Sequence, residues 1–549
     1  MTRFKSIFAA VVVAAIVGIV PAQAATVVKF VGSGSSAMWQ QFGLAAYNGL
    51  CSANGPCSHF TVKGKNGTNN YAQAFDQRSA SIPAEAGNLW VVWGPDANGV
   101  DTDVWAYLTL DSILGNRCYF ANPRCLIQID SGVISVTPPA TQTNLISATL
   151  FTGNTSDAAT LPQAIYTALN GKAVTAGLTD IRPEDAKFAQ SRIVSALNTS
   201  TYAGLGYGTG SATLVGTQIM GAAAYQGGLA TPVAFSITGK DPFTALTIPA
   251  STTIPVGAAP ILFLVNRTAG GVLAGTNPTN INTFSAQRLF SGNDCEASAI
   301  DVITNGGVNG AVHVIKREPL SGTMNTTESN VFRTASQPNS SQEANWAPAT
   351  DNGTVKGCLH GGGDRGHTIG TGNMVKSVKA TTDSIGYIFF SYGNVSSIAA
   401  NPSYGYLTLN GVDGISAAYT NGQLPTCAGP CALAPNTSFP NLRNGSYAAW
   451  SKYRVVTDKT GVNNTNTAAL VAEAQKTINS NIPDFVPATP QADGDLGLLV
   501  FRSHYGTGAH NGNNNPPSAA EAGQDMGGCI YHITDDQAIA PAELLNCKQ

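Results

Sequence analysis

The sequence is poor in charge. Asp, Glu, Lys and Arg make up 11% of its 549 residues, against about 25% in typical soluble domains. With a formal net charge of −3, the chain has no basic surplus of the kind that nucleic acid or anionic lipid would attract. Catalytic signatures are missing too: there is no G-x-S-x-G elbow, no H-E-x-x-H and no P-loop. No fixed-period repeat is present. Beyond the N-terminus, no stretch is long and apolar enough to cross a bilayer. Gly, Asn, Ser and Thr stand where charges are usual, which is the composition of a polar, loop-rich protein.

The first residues predict export. Arg3 and Lys5 supply a short positive region, residues 7–20 are almost wholly apolar, and Ala22-Gln23-Ala24 presents small residues where a signal peptidase reads them. A signal peptide over residues 1–24, cleaved after Ala24, places the mature chain in the periplasm or outside the cell. The alternative, a retained N-terminal anchor, needs a longer apolar run.

The ten cysteines agree with export, because an even count in an oxidising compartment reads as disulfides. Cys51/Cys57, Cys118/Cys125 and Cys427/Cys431 are close enough for local bridges. Cys295 with Cys358, and Cys529 with Cys547, are then the remainder.

Several short apolar runs are each followed by a polar turn and a helical pattern. Residues 26–31 (TVVKFV) lead into Gly32-Ser33-Gly34-Ser35-Ser36 and a helical stretch over 37–48. Such a turn gathers backbone N–H groups and hydroxyls that suit an anion, and it equally suits an ordinary N-cap. Residues 104–110 precede Asp111-Ser112-Ile113-Leu114-Gly115. Residues 173–178 precede Thr179-Asp180-Ile181, with Pro183, Glu184 and Asp185 as a first helical turn. Residues 261–265 (ILFLV) read as a strand buried on both faces, followed by a helix over 284–290. Residues 312–316, 384–392 and 453–456 are further strands. Strands alternating with helices predict an α/β fold with parallel or mixed sheets, whose ligands sit beyond the carboxyl ends of the strands. The tracts 131–160 and 203–253 read as polar insertions, and 418–440 and 504–517 as surface loops.

The chemistry concentrates at Arg317 and Ser321-Gly322-Thr323. A tetrahedral oxyanion takes a planar guanidinium fork, hydroxyl donors and a backbone that can approach closely, and these residues supply all three. A structural Arg beside a helix cap is the alternative for the motif alone.

The Arg-x-x-x-Ser-Gly-Thr spacing of residues 317–323 resembles the periplasmic phosphate-binding proteins of ABC transporters. Further segments resemble that family in the same order: GSGSS at 32–36, LTLDSILG at 108–115, AGLTDIRPEDA at 176–186, IPVGAAPILFLVN at 254–266, SAQRLFSGN at 285–293, and 370–392 with its Ser-Ile-Gly-Tyr. The resemblance implies a two-lobed periplasmic-binding-protein-like α/β fold with two crossover strands, here carrying large polar insertions. It implies a first lobe over 25–258, a second over 259–394, and a return to the first over 395–549 with a C-terminal extension.

It also implies a ligand set. Ser36 and Ser112 donate from the first lobe, Asp180 accepts a hydrogen bond from the phosphate, and Arg317, Ser321, Gly322 and Thr323 bind from the second. Asp180 alternatively reads as a helix N-cap. The expected function is capture of phosphate or a related oxyanion, without metal, cofactor or catalysis, for delivery to ABC transporter membrane subunits. Pro319 stands where the family often has an acidic residue, Ala37 where an aromatic is usual, and Ile113 and Leu114 where small residues are. A phosphate ester, a phosphonate or another oxyanion are therefore alternative ligands.

Two other functions are compatible with the composition. A structural or adhesive surface protein fits the low charge and the disulfides. A phosphate-ester hydrolase could draw on Asp364, Arg365 and His367 with His360 nearby, although a Gly-rich loop carrying two His is expected to be merely solvated.

Overall fold

The computed structural model describes residues 24–135, 161–183, 235–300, 309–332, 356–416 and 439–476, with short gaps inside these ranges, together with residue 342 and residues 486–487, 500–502 and 530–532. The expected signal peptide, Cys427, Cys431, Cys529 and Cys547, and most of the polar tracts lie outside the described residues.

The elements that position the site follow one another along the chain. They are β1 (Thr26–Gly34), α1 (Trp39–Leu44), β2 (Ser58–Val62), β3 (Leu89–Pro95), β4 (Thr102–Thr109), α2 (Ser112–Phe120), β5 (Ala176–Thr179) and the long β6 (Ser251–Asn266). Then come α3 (Thr283–Ser291), β7 (His313–Arg317), α4 (Gly322–Thr327), β8 (Asp364–Thr368), α5 (Thr371–Ala380), β9 (Ser384–Phe389), β10 (Tyr404–Leu409), β11 (Trp450–Asp458) and α6 (Val462–Gln475). The mixed α/β architecture predicted from the alternation of strands and helices is present.

The strands form two sheet regions that share β6. In the first, the order is β2-β3-β4-β1-β5-β11-β6, and β1 runs parallel to both β4 and β5. In the second, β6 is followed by β9, β7 and β8, with β7 parallel to β8 and β9. The division is visible within β6 itself. Residues from Ser251 to Pro260 pair with β11, whereas Ile261 to Val265 pair with β9 and Phe263 to Asn266 with β10. β11 runs antiparallel to β6 and brings the chain back to the first region, where it pairs with β5. β10, at residues 404–409, pairs with the second half of β6.

The apolar run of β6 explains how one strand serves both regions. Ile261, Phe263 and Val265 point into one core and Leu262 and Leu264 into another, and all are fully buried. A strand covered on both faces needs apolar side chains at successive positions rather than alternating ones. Each of these side chains contributes roughly 1.5–3 kcal/mol by leaving water. In the first core Phe263 meets Phe290 of α3, Phe332 and Tyr387 of β9. This cluster ties the strand to elements far along the chain.

Among the described residues three disulfides are formed, Cys51–Cys57, Cys118–Cys125 and Cys295–Cys358. They match the pairings expected for these six cysteines. A buried ion network adds a polar staple. Arg78 bonds Asp76 at 2.8 Å and Asp241 at 3.1 Å, and Arg117 of α2 lies 3.4 Å from Glu85. The segment around Asp241, inside a stretch read as insertion, is thereby joined to the first region. Burial pushes the Glu85 carboxyl up to about 8, against the pull of Arg117. Among the described residues, no helix is long and apolar enough to cross a membrane.

Residues 364–368 depart from expectation. Read as a solvated Gly-rich loop, they form β8, paired in parallel with β7, and Arg365 is fully buried. Pairing with an apolar neighbour (VHVIK) overrides the loop-like local composition.

Candidate functional site

Parallel pairing brings the polar turns together. Gly34 of β1 is in register with Thr109 of β4 and with Leu178 of β5. The turns that follow, carrying Ser35 and Ser36, Asp111 and Ser112, and Asp180, consequently emerge at one level, beyond the carboxyl ends of three adjacent strands. In the second region β7 ends at Arg317, in register with Thr368 of β8, and α5 starts at Thr371. The two sets of turns meet.

Close approach of the strands depends on glycine. Gly34 has φ +139°, and a Cβ there would lie 2.0 Å from the Leu178 carbonyl oxygen. The next residue, Ser35, donates its N–H to that same oxygen at 2.9 Å. Gly322 plays the corresponding part between the two regions. A Cβ on Gly322 would lie 1.6 Å from Asp180 Oδ1 and 2.7 Å from Ser112 Oγ.

Asp180 is at the centre and is 1% exposed. Ser112 donates its hydroxyl to Oδ1, and Ser35 and Thr323 donate to Oδ2 at 3.3 and 3.4 Å. The backbone N–H of Asp180 reaches Ser112 Oγ at 3.4 Å, and its carbonyl accepts from Ser451 Oγ at 3.0 Å. Hydroxyls from both sheet regions thus converge on one carboxylate. Burial raises the Asp180 carboxyl above its ordinary range, and the Ser112 hydrogen bond and the attraction of Arg317 oppose this without reversing it.

Arg317, 2% exposed, is the cation of the site. Its Nη1 donates to Thr323 Oγ1 at 3.3 Å and to Thr371 Oγ1 at 3.5 Å. Its Nη2 donates to Asp111 Oδ1 at 3.2 Å. Asp111 occupies the N-cap position of α2, yet its side chain makes no capping bond. A carboxylate from the other sheet region thus faces Arg317.

The residues predicted from the sequence are distributed as follows. Ser112, Asp180, Arg317, Gly322 and Thr323 come together. Ser321 is beside them and is fully buried, but its Oγ accepts from the Met324 N–H at 3.3 Å and so caps α4. Ser36 is turned toward α5, with its Oγ 3.0 Å from Thr371 Oγ1. Ser35, not Ser36, reaches Asp180.

Sequence reasoning missed Ser35, Asp111 and Thr371. The first two stood beside residues it did choose. Thr371 lay within the 370–392 segment, and only the pairing of β7 with β8 puts it next to Arg317. Elsewhere, His313 Nδ1 lies 2.6 Å from Asp364 Oδ1, at the opposite ends of β7 and β8 from Arg317. Among the described residues, no group of three or more His, Cys, Asp or Glu side chains is placed to hold a metal ion.

Comparison with known proteins adds the following. No family model matches the chain, and no curated protein matches it either. Among solved structures, it is similar to the phosphate binding protein from Stenotrophomonas maltophilia, at 11% identity and TM-score 0.34 over 84% of this chain and 90% of that one. It is also similar to an ABC-type phosphate transport receptor from Vibrio cholerae, at 14% identity and TM-score 0.25 over 43% of this chain and 72% of that one. A third is a human phosphate binding apolipoprotein, at 11% identity and TM-score 0.26 over 58% of this chain and 80% of that one.

Proposed function

We propose that the protein is an exported solute-binding protein that captures phosphate, or a related oxyanion carrying a proton, between two lobes and passes it to an ABC-type transporter. The two lobes correspond to the sheet regions on either side of β6, and β6 and β11 are the crossovers. The observation that supports this reading is the buried Asp180 carboxylate, ringed by Ser112, Ser35 and Thr323 hydroxyls with Arg317 beyond them.

A bare carboxylate is a poor neighbour for an anion unless the anion donates a hydrogen to it. Hydrogen phosphate keeps a proton near neutral pH and can do so. Sulfate cannot, and its presence would leave Asp180 without a donor from the ligand, at a cost of about 1–3 kcal/mol before charge repulsion is counted. The hydroxyls now bonded to Asp180, with the Arg317 fork, then serve the remaining ligand oxygens. Because donors come from both lobes, the full set engages only when the cleft is closed, and ligand shifts the population toward that form. The residues in the cleft suit holding rather than turnover. The Ser112 hydroxyl faces a carboxylate that is itself bonded to other hydroxyls, an arrangement for orienting a proton and not for activating a nucleophile.

Calorimetric titration of the mature, phosphate-stripped protein tests the reading. Phosphate is expected to bind tightly and sulfate far more weakly, and Arg317→Ala is expected to abolish the phosphate signal. Well-folded protein that binds neither anion would remove inorganic phosphate from the proposal. Turnover of a chromogenic phosphate ester would point instead to a hydrolase.

A further inference from the structure

Arg317 stands between two carboxylates of the other lobe. On one side its Nη2 bonds Asp111 at 3.2 Å. On the other its Nη1 reaches Thr323, whose hydroxyl donates to Asp180. The Asp111 side chain is 11% exposed and that of Arg317 is 2% exposed. This ion pair is therefore largely shielded from water, where charge is felt strongly. The hydroxyls of Ser35, Ser112, Thr323 and Thr371 are neutral. Among the described residues, the cleft thus sets one guanidinium against two carboxylates.

We propose that Asp111 is a specificity-determining residue of the cleft. By compensating Arg317 from the opposite lobe, it denies the site a net positive charge and excludes oxyanions that bring no proton of their own. The inference rests on the phosphate reading above and extends it, since Asp180 alone was expected to carry the discrimination. Asp111 does so through charge. A protonated oxyanion lowers the negative charge it presents and satisfies a carboxylate, whereas a fully ionised one adds to an unfavourable sum. The position of Asp111 supports a role in the cleft rather than in the helix: it stands at the N-cap of α2 and leaves that helix uncapped by its side chain.

The test is calorimetric titration of wild type, Asp111→Asn and Asp111→Glu with inorganic phosphate and with sulfate. Asn retains the size and an oxygen acceptor for Arg317 but loses the charge. Glu retains the charge but alters the reach. We expect the phosphate-to-sulfate affinity ratio to fall at least about tenfold in Asp111→Asn, mainly through a gain for sulfate, and to stay near wild type in Asp111→Glu. A residue that merely braces the structure would show the reverse order. An unchanged ratio in Asp111→Asn, or a loss in Asp111→Glu as large as in Asp111→Asn, overturns the inference while leaving the phosphate reading intact. Wild type that binds neither anion removes both. Circular dichroism checks folding, and Asp111→Ser repeats the charge removal if the Asn variant does not fold.

Discussion

Replacing Gly322 by Ala puts one methyl group where the two sheet regions meet. The added carbon would lie 1.6 Å from Asp180 Oδ1, 2.6 Å from Asp180 Cγ and 2.7 Å from Ser112 Oγ. Carbon–oxygen contacts below 3.0 Å are essentially never seen, so Asp180 or α4 must move by more than an ångström. Asp180 has little freedom, because Ser112, Ser35 and Thr323 hold its oxygens and Ser451 holds its carbonyl.

Forced overpacking of this kind costs about 1–3 kcal/mol, and breaking the Ser112–Asp180 hydrogen bond costs about 1.5–3 kcal/mol more. The clash lies between elements of different sheet regions, so opening the cleft relieves it without disturbing either core. The penalty therefore falls on closure and not on folding. On the phosphate reading, a loss of about 2.5–6 kcal/mol of closing free energy corresponds to an affinity weaker by at least about 70-fold. Calorimetry measures the affinity and differential scanning calorimetry the melting temperature. Phosphate binding at wild-type strength by Gly322→Ala would refute the reasoning. So would a large drop in melting temperature in the absence of ligand, which would show that the contact is built into the folded core.

Two further predictions concern stability. Glu85 is raised from 4.5 to about 8 by burial, so the unfolded chain ionises at lower pH than the folded one. Stability is then complete below about pH 4.5, declines as pH rises toward about 8 and stays reduced above it, by on the order of 5 kcal/mol. Glu85→Gln should abolish this loss, and chemical denaturation at about pH 9 should find it more stable than wild type, with no difference at about pH 4. The Cys295–Cys358 bridge spans a sequence separation of 63, and its removal by Ser at both positions should cost about 4 kcal/mol. Removal of Cys51–Cys57, with a separation of 6, should cost roughly 2 kcal/mol, and the same denaturation assay compares the two.

Much of the fold was legible because its signals are local. The strands that begin near residues 26, 104, 176 and 313 each carry a compact apolar or β-branched run ending in a polar turn, and each is present. The run 261–265 announced burial on both faces, and β6 has it. Other parts were not legible. β3 (LWVVWGP), β2 and the helix α6 are followed by no polar turn and helical pattern that would mark them, although the first two form the far edge of the sheet. α6 has apolar and polar residues mixed around its whole circumference, with Thr467, Leu470, Val471 and Ala474 buried. β8 looked like a loop because four of its five residues (DRGHT) are not strand formers, and its neighbour β7 supplied the reason to pair.

The sequence by itself determined the residue types of the site, the strand–turn–helix units that carry them and the short-range disulfides. Hydrophobic periodicity, turn chemistry and capping act within a few residues and can be read there. Only the tertiary structure decided that Ser35 rather than Ser36 faces Asp180, that Thr371 reaches Arg317, and that Asp111 forms an ion pair with Arg317 across 206 positions of sequence. Those contacts depend on strand order and register, and both are set by cores assembled from segments hundreds of residues apart. No local pattern encodes which turn will stand opposite which.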